Sequence, residues 1–276
     1  MVDAVAQLRH ILQQSRGESI SRAIMAVRIL AAVVLLLLAA FLLFVYTRRV
    51  AVSTTNPTPD NTRLTDDLLA SSKVLFVGAH PDDIEFYAAG LVHLLINRKT
   101  EVIYAVATRG GKGRNGRAKT RLEGLRTQHQ HDAARILGGA RVVFYDYPDK
   151  SLPLHVSAFS NDLKALIAKE RPDIMISWDP DAIYNPHPDH VAAANAADTA
   201  ARDMDIPQCF FGTREPNLWV GYGTDVFQIK LRSLRAHRTE TPWPYFLLGK
   251  RFLLKKSAAE GAKIGAEYAE VFRYVR

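Results

Sequence analysis

Two short segments of the sequence combine histidine, proline and aspartate, residue types that together can hold a metal ion and move protons. The first is the HPDD segment at 80–83, and the second is the HPDH segment at 187–190. Imidazole nitrogens and carboxylate oxygens suit Zn²⁺ or Fe²⁺ when three protein groups bind the ion and one position stays open for water. Because the sequence has a single cysteine, Cys209, a cysteine-based zinc site is excluded. The two segments therefore predict a hydrolytic metal centre with nitrogen and oxygen ligands.

The chain around these segments alternates apolar runs with stretches of helical periodicity. The predicted strands span 74–80, 101–108, 141–147 and 173–178, and the predicted helices span 84–97, 120–137, 157–170 and 189–202. This alternation predicts a Rossmann-like α/β fold, with a mostly parallel sheet and helices on both faces. Sites in such sheets form outside the carboxyl ends of the strands. One HP segment ends the first strand and the other follows the fourth, which favours a shared site over two unrelated turns.

A glycine-rich loop after the second predicted strand allows a different interpretation. Residues Gly111–Gly116 fit the pattern G-x-G-x-x-G, which is typical of dinucleotide sites when it links a strand to a helix. However, the loop follows the second strand of the region, and basic residues fill the first two gaps of the pattern. We favour a loop beside the metal site that contacts a substrate phosphate through Lys112, Arg114 or Arg117. A charged loop that is merely solvated explains the same pattern.

The paired segments resemble those of the PIG-L/LmbE family of metal-dependent deacetylases. Enzymes of that family remove N-acyl groups from N-acetylglucosamine in glycolipids, thiol conjugates and antibiotics. The resemblance covers residues 73–276 and extends to Arg126, to Leu137-Gly138 at the end of the same helix, and to Ala236-His237 and the EYAEVF segment at 267–272.

The resemblance implies a role for six residues of the two segments. The metal ligands would be His80, Asp83 and His190. Asp82 would be the general base, a protonated His187 would stabilise the oxyanion, and Asp189 would be the carboxylate that orients His187. This set suits amide hydrolysis, because a metal ion lowers the pKa of bound water to about 7 and a neighbouring carboxylate can accept the proton of that water.

Two further residues would bind substrate according to the resemblance, namely Arg126 and Tyr184. His129 stands three positions after Arg126, where the family commonly has glutamate, so we expect Arg126 to lack a carboxylate partner from that position. We expect His129 to lie on the surface of its helix and His237 to serve packing.

An apolar segment near the N-terminus predicts a membrane anchor. Ile29–Tyr46 contains eighteen residues without a charge, enough to span roughly 27 Å of a hydrocarbon core of about 30 Å. A cleaved signal peptide is the main alternative, but its apolar core is shorter and ends at small residues. Four arginines precede the segment and two follow it directly, which favours a cytoplasmic N-terminus and an extracytoplasmic body. The predicted organisation is a tail over 1–28, the anchor, a linker over 47–72 and a domain over 73–276.

Half of the net charge of +8 lies in the first fifty residues, around the apolar segment. The first fifty residues contain six arginines, one aspartate and one glutamate, a net +4, so the remaining residues also carry +4. The body has no dense basic stripe with interleaved aromatic residues, which argues against nucleic acid as a partner.

The leading hypothesis is a single-pass, membrane-anchored, zinc-dependent N-deacetylase that acts on an N-acetylated amino sugar, with Fe²⁺ as the alternative metal. Two other hypotheses stay open at this point. One is a nucleotide-dependent enzyme that uses the Gly111–Gly116 loop, and the other is a non-catalytic, membrane-anchored glycan-binding protein.

Overall fold

The computed structural model describes residues 22–41, 43, 52–113 and 119–275, with the backbone alone at 119, 244, 245 and 248. The chain divides into two compact units, which span Met1–Arg49 and Val50–Arg276. The two units are described separately below.

The first unit contains one described helix, α1, which spans Arg22–Phe41. This helix has 20 residues and a mean hydropathy of 2.8, so it is long and apolar enough to cross a membrane by length and composition. Its side chains are exposed. The described part of the helix includes residues 22–28, which precede the predicted start at Ile29, and residues 42 and 44–46 of the predicted span lie outside the described residues.

The second unit is built on a seven-stranded sheet with the strand order β3-β2-β1-β4-β5-β7-β6. The strands are β1 (Lys73–Gly78), β2 (Glu101–Thr108), β3 (Arg141–Tyr147), β4 (Ile174–Trp178), β5 (Gln208–Phe211), β6 (Leu218–Tyr222) and β7 (Tyr268–Val275). Strands β1 to β5 run parallel, whereas β7 runs antiparallel to both β5 and β6. The predicted mostly parallel sheet is confirmed.

Helices cover both faces of this sheet. They are α2 (Asn61–Leu69), α3 (Asp83–Asn97), α4 (Lys119–Leu137), α5 (Val156–Glu170), α6 (Pro188–Asp203), α7 (Thr224–Ala236) and α8 (Trp243–Ala262), with a short 3-10 turn at Leu152–Leu154. Helices α3, α4 and α7 contact one another, and α5 packs on α6. The central strands are buried on both faces, as their continuous apolar runs predict, and large side chains such as Phe76, Tyr104 and Trp178 are fully buried.

The four predicted strands and four predicted helices are all present, with ends that differ by two residues or fewer. The largest difference is at β1, which ends at Gly78 rather than at residue 80. His80 therefore lies in the turn that joins β1 to α3, where its side chain is free to face the edge of the sheet.

Part of the predicted linker, from residue 52 onwards, is packed on the folded domain. The amide and hydroxyl of Ser53 donate to the Glu260 carboxylate at 2.6 and 2.8 Å. The Asn61 side chain pairs with the backbone of Trp219, accepting from its N–H at 2.7 Å and donating to its C=O at 3.1 Å. Helix α2 thus lies beside β6, the edge strand, and satisfies part of its backbone. Residues 47–51 lie outside the described residues.

Candidate metal-dependent active site

The site lies where the order of the strands reverses. From β1 the chain moves outwards through β2 and β3, and then crosses to β4 on the other side of β1. Strands β1 and β4 are parallel neighbours, with Phe76 opposite Ile176. Their carboxyl ends therefore open into one crevice, the usual place for a ligand in such sheets. The HPDD turn and the start of α6 meet there.

Three ligand atoms face one another at the centre of the crevice. His80 Nδ1 lies 3.3 Å from His190 Nε2. His190 Nε2 lies 3.3 Å from Asp83 Oδ1. For a tetrahedral ion bound at about 2.0–2.1 Å, neighbouring nitrogen ligands are about 3.3 Å apart. The donor types and these two distances fit a Zn²⁺-sized ion, whereas His80 Nδ1 is farther from Asp83, at 4.0 Å from its Oδ2.

The outward atoms of two of these side chains are fixed by other groups. Asp83 Oδ2 accepts hydrogen bonds from the backbone of Ala79 and His80 at 2.8 and 3.0 Å, and from Trp178 Nε1 at 3.0 Å. These bonds leave Oδ1 to face the crevice. His190 Nδ1 lies 3.2 Å from the carbonyl of Asn185, and its ring stacks on Trp178 with 3.9 Å between centroids. Such outer contacts set the tautomer and orientation of a metal-binding side chain.

Asp189 orients His80 rather than His187, which corrects the expected role. Its Oδ2 lies 3.0 Å from His80 Nε2, and Asp149 Oδ1 lies 3.3 Å from the same nitrogen. Backbone amides of Lys150 and Leu152 donate to the Asp189 carboxylate at 2.6 and 3.1 Å and hold it beside His80. Burial opposes a charge on His80, but the hydrogen bonds to both carboxylates outweigh it and raise the pKa of His80 to about 10.

His187 lies beside the crevice at the N-terminus of α6. Its Nδ1 accepts a hydrogen bond from the backbone amide of Asp189 at 3.2 Å, as an N-cap residue does. Partial burial and the neighbouring charges of His80 and His190 lower the pKa of His187. Both observations favour the neutral ring with its proton on Nε2, not the protonated ring that we expected. A neutral His187 still has one N–H donor.

Among the described residues, two sets of three have ligand atoms within 4.8 Å of one another, and His80 belongs to both. His80 and His190 form one set with His187, so His187 competes with Asp83 for the position of third ligand. Asp83 Oδ1 lies 3.3 Å from His190 Nε2, but Asp83 Oδ2 lies 4.0 Å from His80 Nδ1. The other set joins His80 to Asp149 and Asp189 on the opposite side of its ring. Backbone amides already bind both of those carboxylates, so that set serves to orient His80.

Asp82 precedes α3 with an unusual backbone conformation, φ 107° and ψ −23°. Its Oδ2 lies 3.5 Å from Arg126 Nη2. Burial raises the pKa of Asp82 to about 6, although the positive charge of Arg126 acts in the opposite direction. A carboxylate with this pKa is able to accept a proton near neutral pH.

Arg126 is buried at the edge of the crevice, and its guanidinium has two carboxylate partners, Asp82 and Glu240. Its Nη1 lies 3.5 Å from Glu240 Oε1, so a residue far along the chain stands in for the expected glutamate at position 129. His129 itself is buried, contrary to the expected surface position, and burial lowers its pKa to about 4. His237 is also buried and lies 3.2 Å from Glu85 Oε2.

The crevice has a volume of about 330 Å³. It is lined by His80, Asp82, Asp83, Lys112, Gly113, Arg126, Asp149, Lys150, His187, His190 and Glu240. Tyr184 is not among these described lining residues. It lies against a neighbouring cavity, with Lys256 Nζ 4.6 Å from the centre of its ring. Of the two predicted substrate-binding residues, only Arg126 therefore borders the crevice.

Three of the lining residues, Asp149, Lys150 and Glu240, were missed by the sequence prediction. The rule that sites form at the carboxyl ends of strands could have found Asp149 and Lys150, because both follow β3 closely. Glu240 follows α7 in a segment without any recognisable motif, so nothing in the sequence indicated it.

The described half of the glycine-rich loop closes one wall of the crevice. The Lys112 amide donates to Asp149 Oδ2 at 2.6 Å. Gly110 has φ 66°, and a Cβ atom there would lie 2.5 Å from the Arg126 guanidinium, so this position needs glycine. The backbone here binds protein groups, which favours a wall of the metal site over a dinucleotide site. Residues 114–118 of the predicted motif lie outside the described residues.

Part of the chain matches a known protein family. Residues 75–201 match the family model described as "PIG-L: GlcNAc-PI de-N-acetylase". This segment, just under half of the chain, is similar to the PIG-L family. The chain is 28% identical over 223 residues to a diacetylchitobiose deacetylase of Thermococcus kodakarensis, which covers 74% of this chain and 83% of the relative. A probable N-acetyl-α-D-glucosaminyl L-malate deacetylase of Bacillus cereus is 29% identical to this chain. The match covers 61% of this chain and 83% of the relative.

A solved structure gives the same result at the level of the fold. The N,N'-diacetylchitobiose deacetylase of Pyrococcus horikoshii superposes with a TM-score of 0.68 and 26% identity, over 80% of this chain and 94% of the other. These PIG-L relatives are deacetylases, and their names describe substrates that contain N-acetylglucosamine.

Proposed function

We propose that this protein is a metal-dependent hydrolase that removes the acetyl group from an N-acetylglucosaminyl group in a glycolipid, polysaccharide or conjugate. The observation that carries the proposal is the inward-facing set of His80, Asp83 and His190, with Asp82 and His187 on the same crevice. The names of the relatives support the acetamido sugar as substrate.

The residues of the crevice divide the chemistry of amide hydrolysis among them. His80, Asp83 and His190 would hold a divalent ion, which when bound acidifies a water molecule and polarises the amide carbonyl. Asp82 accepts the proton of the attacking water and then delivers it to the nitrogen of the leaving amine. An amine is a poor leaving group until it is protonated, so this second transfer matters as much as the first.

His187 is suited to stabilise the charge that develops on the carbonyl oxygen. The backbone amide of Asp189 occupies its Nδ1, so the proton of the neutral ring is on Nε2. A preorganised N–H donor of this kind stabilises an oxyanion more than it stabilises the neutral amide. His187 needs no positive charge for this role.

We further propose that α1 anchors the protein in a membrane as a single-pass helix with the catalytic domain on the extracytoplasmic side. The arginine distribution around the apolar segment supports this orientation. An anchored enzyme would act on substrate at or near a membrane surface. Accessibility of the domain to protease added outside intact cells tests the orientation, and protection of the domain would contradict it.

The reaction is tested with the full chain in detergent, after metal removal and reloading. Acetate release is measured from a panel of N-acetylglucosamine glycosides with lipid, sugar and carboxylic-acid aglycones. We expect release from at least one member, loss of release after chelation, and recovery with Zn²⁺ or Fe²⁺. A metal-loaded protein that releases acetate from none of them would refute the proposed function.

A further inference from the structure

One peptide unit next to the proposed base is held at both of its polar ends by the same helix. The carbonyl of Pro81 accepts a hydrogen bond from Arg126 Nη2 at 2.7 Å. The amide N–H of Asp82, which belongs to the same peptide unit, donates to Gln130 Oε1 at 3.2 Å. Arg126 and Gln130 are four residues apart on α4, so they project from the same face of the helix. Together they fix the plane of the Pro81–Asp82 peptide.

The backbone conformation of Asp82 at this peptide is unfavourable for a residue with a side chain. Asp82 has φ 107° and ψ −23°, in a region that residues with a Cβ atom rarely adopt. Turning the Pro81–Asp82 peptide by half a rotation would change the φ of Asp82 from 107° to about −73°, which is ordinary right-handed helix. Asp82 would then extend α3 by one residue, and the Pro81 carbonyl would turn away from Arg126 Nη2, the nitrogen that also lies 3.5 Å from Asp82 Oδ2. The observed orientation of the Pro81–Asp82 peptide therefore requires hydrogen bonds that stabilise it.

Gln130 is itself fixed in the orientation that this contact requires. Its Nε2 donates to Glu85 Oε1 at 2.8 Å, which leaves Oε1 to face the Asp82 amide. Glu85 is in turn 3.2 Å from His237. All three side chains are buried, with Gln130 and His237 each 1% exposed and Glu85 0% exposed. A carboxylate partner determines which end of a glutamine amide carries the oxygen, so the orientation of Gln130 is set by its surroundings.

We propose that Gln130 is a positioning residue that prevents the Pro81–Asp82 peptide from flipping and so keeps Arg126 Nη2 between the Pro81 carbonyl and the Asp82 carboxylate. The proposal rests on the proposed function, in which Asp82 is the general base. Gln130 is absent from the described lining of the crevice, so it acts through Asp82 and not through the substrate.

The test compares Gln130→Met, which has similar length but no amide, with Gln128→Met on the exposed face of the same helix. Each metal-loaded variant is assayed for acetate release, metal content and thermal unfolding, and the crystal structure of the Gln130 variant is determined. We expect kcat to fall about 10- to 100-fold, because small misplacements of catalytic groups have effects of this size. The KM should change less than about threefold, since Gln130 does not border the substrate cavity. The structure should show Asp82 with negative φ.

If Gln130→Met does not fold, Gln130→Asn replaces it, because the shorter side chain keeps a polar amide while withdrawing its oxygen from the Asp82 amide. A folded, metal-loaded variant with kcat within about twofold of the wild type, or with Asp82 still at positive φ, would overturn the proposal. Loss of the metal together with activity would also overturn it, because Gln130 would then act on the metal site. The wild-type assay separates the two failures, since a wild type that releases no acetate contradicts the proposed function itself.

Discussion

The contact between Asp189 and His80 makes a quantitative prediction about metal affinity. Asp189→Asn keeps the shape of the side chain but removes the charge that lies 3.0 Å from His80 Nε2. Loss of such an outer partner usually weakens metal binding by about 10- to 100-fold. Because Asp149 remains 3.3 Å from the same nitrogen, we expect the lower end of this range. A tenfold loss corresponds to about 1.4 kcal/mol of binding free energy.

The assay is a competition titration of Zn²⁺ between the protein and a chelator of known affinity, with Asp203→Asn at the exposed end of the same helix as control. The double variant Asp149→Asn/Asp189→Asn should lose about 100-fold, at the upper end of the range for such partners. If Asp189 acted on His187 alone, kcat would fall while zinc affinity stayed at the wild-type value. That result would refute the assignment of Asp189 to His80.

Three further predictions test other parts of the structure. Arg126→Gln removes a charge that lowers the pKa of Asp82, so the acidic limb of the profile of kcat/KM against pH should move to higher pH, and an unmoved limb would contradict this contact. Asn61→Ala should lower the free energy of unfolding by about 1–3 kcal/mol, because the backbone N–H of Trp219 in β6 loses its side-chain acceptor, whereas the C=O keeps the Thr65 hydroxyl; urea denaturation measures it, and an unchanged free energy of unfolding would contradict a stabilising role for this contact. Lys230→Met leaves the buried Glu270 carboxylate without its ion pair and should cost about 3–5 kcal/mol in the same experiment, whereas a cost below 1 kcal/mol would show that the backbone amides suffice to stabilise Glu270.

The half of the fold that the sequence predicts well is the half with strong local patterns. Strands β1 to β4 are continuous apolar runs bounded by glycine, proline or polar residues, and the helices between them show clear periodicity. Strand β5 has only four residues, and β7 pairs antiparallel with two strands that precede it in the chain. Such pairings are long-range, so no local window of sequence contains them.

The candidate site, like the fold, was predicted from the sequence only in part. The family resemblance implied His80, Asp83 and His190 as ligands, and the structure places the three side chains at the same crevice. The role of Asp189 was assigned to the wrong histidine, because its direction depends on two backbone amides nearly forty residues earlier in the chain. Glu240, which contacts Arg126 from beyond α7, gave no signal for the same reason.

The role of Gln130 also depends on the folded chain. Its partner is a backbone amide in the HPDD turn, and a backbone contact imposes no residue type that a sequence motif would reveal. The left-handed conformation of Asp82 is likewise invisible to residue patterns, since glycine, not aspartate, is the usual residue at such a φ.

The most direct test of the account is the activity of Asp82→Asn beside that of the wild type, with the metal content of both measured in the same preparations. Asparagine tolerates positive φ as well as aspartate does, so the variant should fold and bind one metal ion per chain. We expect the wild type to release acetate and the variant to lose about 10²- to 10⁴-fold in kcat, the range attributed to general acid–base catalysis. A metal-loaded Asp82→Asn protein that retains wild-type kcat would contradict it.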